Sequence, residues 1–134
     1  MILKRDSPRN SLIVKRTNTG LGLFTTEHIA SGKRIIEYTG PRISREEAVE
    51  STGKYLMDID EQRVIDGSPR TNTARYINHS CAPNAEAISA RGRVWIWSKV
   101  RIEADEAITI HYGKEYFEDY IKPHGCKCDK CFVG

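Results

Sequence analysis

The sequence predicts a mainly β domain that is built from several small sheets and contains few helices. Its 134 residues suit a single domain, and a hydrophobic share of 39% suffices for one core. Periodicity typical of helices is rare. The apolar segments are short and are bounded by Gly, Pro, Asn, Asp or Ser, as strands are: SLIV, LGLF, RIIEY, KYLMDI, RVI, NAEAIS, RVWIWSKV and AITIHY.

The second of these runs carries two glycines, Gly20 and Gly22. A dinucleotide-binding fingerprint needs a third glycine and a helix after it, and this chain has neither at the required place. Glycine inside a strand indicates either a β-bulge or the close approach of another group to the backbone. On their own, the two glycines favour the bulge.

Two short helices are expected. Ser44 and Glu47 have the spacing of a capping box, which predicts that a helix begins in SREEAVES. The segment KEYFEDYI predicts a second helix.

The run RVWIWSKV is apolar on both of its alternating faces, so we expect it to be covered on both sides. The turn at Arg91 and Gly92 predicts that it pairs with NAEAIS as a hairpin. Its two apolar sets are Val94, Ile96 and Val100 on one side and Trp95 and Trp97 on the other.

The charge balance argues against a strongly basic nucleic-acid binder, because the formal net charge is only +3. No apolar run approaches the ~20 residues of a membrane span. The opening MILKRDSPRN lacks the apolar core of a signal peptide. We therefore expect an intracellular protein with no membrane partner and no direct nucleic-acid contact.

Three of the four cysteines lie together in CKCDKC. Disulfides inside so short a segment would close loops too small to stabilise much, and reducing compartments disfavour them. A structural zinc ion takes four protein ligands, so Cys126, Cys128 and Cys131 need one more. The adjacent His124 or the distant Cys81 can supply it.

Residues 74–84, ARYINHSCAPN, concentrate chemically active side chains, and we interpret them as the centre of an active site. The tyrosines Tyr38, Tyr55, Tyr76 and Tyr112 are ambiguous one by one, because tyrosine commonly buries its ring and leaves its hydroxyl at the edge of a core. Their significance depends on whether they converge.

Six segments, taken in order, resemble the SET-domain protein lysine methyltransferases: GLGLF, EYTG, YLMDID, VIDGSPRTNTARYINHSCAPN, AITIHYG and CKCDKC. The resemblance runs from about Thr17 to Phe132. It implies the SET fold, in which the NHSC segment and the strand ending at Tyr112 cross like a knot. It also implies an N-terminal extension at 1–16, a SET domain at 17–121 and a zinc-binding post-SET tail at 122–134.

The resemblance further implies an enzyme that transfers methyl groups from S-adenosylmethionine to the ε-amine of a lysine in a protein, which is a histone or another protein. Cofactor and lysine would enter from opposite faces of a narrow channel. The implied catalytic residue is Tyr112, with Tyr38 lining the channel. The implied cofactor contacts are Thr19, Gly20 and Leu21 through their backbone, Tyr55, Arg75, Asn78, His79 and Lys127.

The family also implies the zinc ligands, which are Cys81, Cys126, Cys128 and Cys131. Such a metal would fasten the tail over the cofactor and bring the ring of Phe132 towards it. Folding of the tail would then depend on zinc.

The chain departs from the family pattern at three places. Only Asp129 and Lys130 separate the last two cysteines, where four residues are usual. His111 replaces the usual acidic residue before the catalytic tyrosine, and we expect a tuned hydrogen bond there with activity retained. Ile110 replaces a Phe or Tyr, and its smaller side chain would leave room for di- or trimethylation.

Two other functions compete with this one. A SET-fold module that has lost catalysis could bind a lysine-bearing tail, although the intact Asn78, His79 and Tyr112 favour an enzyme. A small zinc-knuckle nucleic-acid binder is disfavoured by the near-neutral charge and the strand-rich body.

Overall fold

The computed structural model describes residues 11–18, 20–49 and 55–113. The predicted mainly β class is confirmed, and the predicted helix in KEYFEDYI lies outside the described residues. No helix in the described part is long and apolar enough to cross a membrane. The elements are β1 Leu12–Thr17, β2 Gly20–Thr25, β3 Arg34–Tyr38, β4 Arg42–Ser44, α1 Arg45–Val49, β5 Leu56–Asp58, β6 Arg63–Asp66, a 3-10 helix Thr73–Tyr76, β7 Asn78–His79, β8 Ala85–Ala90, β9 Arg93–Ser98 and β10 Thr109–Ile110.

Strands β1 and β2 form an antiparallel hairpin in continuous register, from the pair Leu12 and Thr25 to the pair Thr17 and Gly20. Because this register has no irregularity, the bulge favoured by the glycines alone is wrong. The glycines instead allow a close approach. A Cβ added at Gly22 would lie 3.1 Å from the side-chain nitrogen of Asn78.

Helix α1 begins directly after Ser44 and confirms the predicted capping box. The backbone N–H of Ser44 donates to a carboxylate oxygen of Glu47 at 2.9 Å, and the N–H of Glu47 donates to the Ser44 hydroxyl at 3.0 Å. The helix follows β4, an edge strand of the three-stranded sheet with the order β4, β6, β5.

A second three-stranded sheet has the order β3, β9, β8, and the hairpin of β8 and β9 is confirmed. Its two-residue turn has positive φ at both Arg91 (56°) and Gly92 (78°), as a type I′ turn requires. The expectation that β9 is covered on both faces is only half correct. Val94 and Ile96 are buried, but Val100 lies beyond the strand and is 51% exposed, and Trp95 and Trp97 on the opposite face are half-buried.

The remaining pair of strands is short and parallel. Asn78 in β7 lies opposite Thr109 in β10, and His79 lies opposite Ile110. The backbone N–H of Ser80 extends the pairing by donating to the carbonyl of Ile110 at 2.9 Å. These contacts bring the NHSC segment beside the strand that leads into Tyr112, which is the meeting that the predicted crossing requires.

One hydrophobic core joins the small sheets. Its largest buried side chains come from β2, β3, β6, β9 and the segment before β10, and each is no more than 1% exposed: Leu23, Ile35, Ile65, Ile96, Ile102 and Ile108. Strand β9 is the central strand of its sheet, and its inward side chains Val94 and Ile96 belong to this core.

Replacing Ile96 by Ala should lower the free energy of unfolding by about 2 to 5 kcal/mol, because a fully buried side chain leaves a cavity in a close-packed core. The matched control is Ile13→Ala on β1, where the side chain is 43% exposed. It should cost less than about 1 kcal/mol. Urea unfolding at pH 7 measures both changes, and equal losses would contradict the position of the core.

Candidate active site

Tyr112 is held by two hydrogen bonds to the NHSC region. Its backbone N–H donates to Nδ1 of His79 at 3.1 Å, and its hydroxyl donates to the carbonyl oxygen of Ile77 at 2.6 Å. Ile77 directly precedes β7, whereas Tyr112 follows β10. The parallel pair therefore fixes both the backbone and the phenol of Tyr112 against the same segment.

The ring of His79 lies between Tyr112 and His111. The centroids of the His79 and His111 rings are 4.6 Å apart, in an edge-to-face arrangement. Burial, with a smaller contribution from the nearby His111, lowers the pKa of His79 to about 4. His79 is therefore neutral at pH 7. Because its Nδ1 accepts the Tyr112 N–H, its proton resides on Nε2, which lies 3.5 Å from Sγ of Cys81.

Asn78 connects this region to strand β2. Its side-chain Nδ2 donates to the carbonyl oxygen of Leu21 at 3.0 Å. Gly22 lies against the same amide, where a larger residue would need the neighbouring atoms to shift. Gly20, at the start of β2, has a φ of 116° and open space where a Cβ would lie. Asn78 thus joins the glycine-containing strand β2 to the NHSC segment.

Tyr38 and Tyr55 meet at a shared acceptor. The carbonyl oxygen of Tyr55 accepts the Tyr38 hydroxyl at 2.8 Å and the backbone N–H of Gly67 at 2.8 Å. Tyr55 has a φ of 67°, which is a left-handed conformation that costs a bulky residue free energy. A Cβ at Gly67 would lie only 2.3 Å from the Tyr38 ring, so glycine is required for this packing.

Asn72 holds the loops on either side of Tyr38. It is 1% exposed, and its side chain donates to the carbonyl of Gly67 at 3.0 Å and accepts the N–H of Thr39 at 3.0 Å. A buried amide that satisfies two backbone segments fixes their separation, because leaving either group unpaired costs about 1 to 3 kcal/mol. Sequence reasoning missed Asn72 and Gly67. The only signal was their place in the turn-rich stretch DGSPRTN.

Arg75 contacts two aromatic rings. Its guanidinium lies 4.4 Å from the centroid of Tyr55 and 5.1 Å from that of Tyr76, and it donates to the Tyr76 hydroxyl at 3.2 Å. The remaining Nε is buried, with no hydrogen-bond partner among the described residues. The stacking fixes the guanidinium beside the ring of Tyr55.

A cavity of about 90 Å³ lies among some of these groups, but Asn78 and His79 are not part of its lining. Three tyrosines from distant segments, Tyr38, Tyr55 and Tyr112, contribute to its lining. They therefore converge, which the sequence alone left open, whereas Tyr76 lies outside the lining and contacts Arg75. The other residues that line the cavity are Leu56, Met57, Ala74, Arg75, Ile77, Ala87, Ile110 and His111.

Several predicted site residues lie outside the described residues. They are Thr19, His124, Cys126, Lys127, Cys128, Cys131 and Phe132. Within the described part, Cys81 is the one predicted zinc ligand, and no group of three or more His, Cys, Asp or Glu side chains that could hold a metal occurs there. The four-cysteine zinc site therefore stays a prediction.

Comparison with known proteins gives a consistent result. The SET domain family model matches residues 20–113, which is more than half of the chain. Histone-lysine N-methyltransferase set-2 of Caenorhabditis elegans is 39% identical over 122 residues, which cover 81% of this chain and 8% of that protein.

Two further relatives also match about four fifths of this chain and only a small part of their own length. Histone-lysine N-methyltransferase SETD1B of Homo sapiens is 36% identical over 123 residues, covering 82% of this chain and 6% of that protein. The histone-lysine N-methyltransferase of Aspergillus oryzae named as H3 lysine-4 specific is 36% identical over 120 residues, covering 80% of this chain and 10% of that protein. This chain thus spans a tenth or less of the length of these relatives.

Replacing Gly67 by Ala should displace the Tyr38 ring and weaken its bond to the Tyr55 carbonyl, at a cost of about 1 to 3 kcal/mol in the free energy of unfolding. The cause can be isolated by making the same change in a Tyr38→Ala background. There the new methyl group meets no ring, so the cost should be smaller. Chemical denaturation of the four proteins measures the coupling, and additive losses would contradict the proposed clash.

Proposed function

The chain belongs to the SET domain family, and from that membership we propose that it transfers methyl groups from S-adenosylmethionine to the ε-amine of a lysine in a protein. One observation carries the proposal. Asn78 lies on β7, and Tyr112 follows β10, the strand that pairs with β7. Tyr112 also lines an aromatic cavity together with Tyr38 and Tyr55. The names of the relatives, all histone-lysine N-methyltransferases, support the same activity.

The cavity favours the neutral form of a lysine. A free lysine has a pKa of about 10.4, so a neutral amine at pH 7 costs about 4 to 5 kcal/mol. Aromatic and aliphatic walls disfavour the ammonium form by desolvation. The described lining also contains the Arg75 guanidinium and no Asp or Glu, so its charge opposes an ammonium ion as well. The proposed channel would therefore offset part of the free-energy cost of a neutral amine.

The hydrogen bond of Tyr112 suggests its role. Its hydroxyl proton is directed to the Ile77 carbonyl, so towards the cavity this oxygen can act only as an acceptor. An incoming amine would donate to that oxygen and be held in line for attack. We assign Tyr112 to this orientation and to stabilising the transfer, and bulk water takes the proton before the site closes.

The described residues fit a cationic methyl donor, because tyrosine rings attract cations by about 0.5 to 2 kcal/mol each. When bound, the cofactor supplies an electrophilic methyl group on its sulfonium. We propose that Asn78, the main chain of His79 and the β2 backbone at Gly20 and Leu21 hold it, together with Tyr55. Support for this set is that Asn78 already bonds to Leu21 and that Gly20 leaves open space.

The remaining cofactor contacts belong to the same proposal. Arg75 would support the pocket through its stack on Tyr55. Thr19 and Lys127 would add backbone contacts, on the strength of the family pattern alone. The cavity of about 90 Å³ suits a slender alkylamine, so most of a nucleoside cofactor would lie outside it.

We further propose the domain division into 1–16, 17–121 and 122–134, with zinc held by Cys81 and the three tail cysteines. The contact of Cys81 with the Nε2 proton of His79 supports a thiolate ligand, because metal-bound sulfur is commonly stabilised by such donors. Zinc would then link the tail to the segment that positions Tyr112.

For the substrate we propose a protein lysine, with histone H3 as the first candidate, because one relative is named for H3 lysine 4. An intracellular site of action would follow from such a substrate. Ile110 is buried and lines the cavity, and it is smaller than a Phe or Tyr, which supports transfer of more than one methyl group.

The proposed activity is tested by radiolabelled methyl transfer to recombinant histones and to a cell lysate, followed by mapping of the modified lysines. Tyr112→Phe should reduce turnover by about 100-fold or more while cofactor affinity and melting temperature stay close to the parent values. The matched control Tyr76→Phe removes a hydroxyl outside the cavity and should retain activity. Peptide binding by the unmodified chain without any transfer would instead identify an inactive binding module.

The zinc site is tested by the metal content of purified variants. Cys81→Ser should lower bound zinc well below one ion per chain, because three thiolates leave the tetrahedral set incomplete. His124→Ala should leave it unchanged. Unchanged zinc in Cys81→Ser, together with a loss in His124→Ala, would show a local knuckle in the tail.

A further inference from the structure

Asn72 directly precedes the 3-10 helix Thr73–Tyr76, but its side chain does not cap that helix. An asparagine before a helix commonly accepts a hydrogen bond from the first backbone N–H groups through its side-chain oxygen. Here the side chain makes no such bond. Only the backbone carbonyl of Asn72 contributes to the helix, by accepting the N–H of Arg75 at 3.0 Å. The side-chain amide is therefore available for contacts with other parts of the chain.

The amide of Asn72 joins two backbone segments that are distant from each other in sequence. Its Oδ1 accepts the N–H of Thr39 at 3.0 Å, and its Nδ2 donates to the carbonyl oxygen of Gly67 at 3.0 Å. One partner is a donor and the other is an acceptor, so both are satisfied only by a side chain that carries an acceptor and a donor at this reach. The residue is 1% exposed, and water cannot replace either bond without entering the core.

Both of these segments carry the tyrosine wall of the active-site cavity. Thr39 directly follows Tyr38, and the N–H of Gly67 donates to the carbonyl oxygen of Tyr55 at 2.8 Å. That carbonyl also accepts the hydroxyl of Tyr38 at 2.8 Å. Asn72 thus holds the Tyr38 wall from two sides, through the backbone after Tyr38 and through the carbonyl to which its hydroxyl bonds.

The helix that follows Asn72 leads into the opposite wall. Ala74 lines the cavity, and its carbonyl accepts the N–H of Ile77 at 3.1 Å. The carbonyl of Ile77 in turn accepts the hydroxyl of Tyr112. The backbone of Asn72 therefore belongs to the segment that orients Tyr112, while its side chain holds the segments that orient Tyr38.

We propose that Asn72 is a positioning residue for methyl transfer, which fixes the wall that carries Tyr38 relative to the wall that carries Tyr112. This inference rests on the proposed function. Asn72 is not part of the cavity lining, so it touches neither the lysine nor the methyl donor and acts through Tyr38 and Tyr55. Because in-line transfer needs aligned reactants, a wall displaced by about 1 Å can lower the rate by about 100-fold.

The test compares Asn72→Ala with the matched control Ser98→Ala, both in the full chain. Ser98 is also buried, at 3% exposed, and its hydroxyl donates to the carbonyl of Ala30 at 2.6 Å and accepts the N–H of Lys33 at 2.8 Å. It is not part of the cavity lining. Both variants should lower the melting temperature by roughly 5 °C or more, because each removes a buried group that serves two backbone groups.

Methyl transfer is measured well below both melting temperatures, with S-adenosylmethionine and a synthetic peptide that spans the lysine mapped in the lysate assay. Asn72→Ala should lower kcat by about tenfold or more and change KM by less than about threefold, because misalignment affects the reaction more than binding. Ser98→Ala should keep both constants within about twofold of the parent. A kcat that falls equally in the two variants, or in neither, would overturn the positioning role. A parent chain without any transfer would overturn the proposed function, and this inference with it.

The route through Tyr38 is tested by combining Asn72→Ala with Tyr38→Phe, which keeps the ring and removes the hydroxyl that bonds to the Tyr55 carbonyl. If Asn72 acts through that bond, the double variant should lose less kcat than the product of the two single losses. Losses that multiply would overturn this route.

Discussion

The site depends on the parallel pairing of two very short strands. Only Asn78 and His79 pair with Thr109 and Ile110, yet this contact brings together segments that are about thirty residues apart. A parallel pair needs a crossover connection, and here the crossover contains the β8 and β9 hairpin. The pairing is reinforced by His79, whose ring accepts the N–H of Tyr112. Two paired residues alone would hold β7 and β10 together only weakly, and side-chain contacts strengthen this pairing.

Buried polar groups position the aromatic residues of the cavity. Asn72 joins the backbone at Thr39 to that at Gly67, and the Tyr55 carbonyl accepts from both Gly67 and Tyr38. These bonds specify a single arrangement, because any slip would leave a buried group unpaired. The left-handed backbone of Tyr55 is tolerated for the same reason: its carbonyl is fixed by two donors.

Local sequence patterns were sufficient to predict features that depend only on neighbouring residues. The spacing of Ser44 and Glu47 identified the start of α1, and Arg91 with Gly92 identified a turn, because each feature depends on neighbouring residues only. The nearness of Tyr112 to the NHSC segment followed from family resemblance, since no local rule brings such distant strands together. The alternating pattern likewise placed Trp95 on the face opposite Ile96, but it could not show whether another layer covers that face.

The glycines show most clearly what a local sequence pattern cannot predict. Gly22 and Gly67 are needed for contacts with Asn78 and the Tyr38 ring, which are distant in sequence, so a local pattern could suggest only a bulge or a turn. These roles can be recognised only in the folded structure, where the residues in contact with each glycine are known.

The long crossover also has a consequence for synthesis on the ribosome. His79 leaves the exit tunnel well before Ile110, so its parallel partner does not yet exist while the intervening hairpin can already form. During that interval His79 and the tyrosine whose backbone N–H it later accepts remain apart. The nascent chain therefore completes its reactive centre among the last of its described parts, after most of the surrounding scaffold has been made.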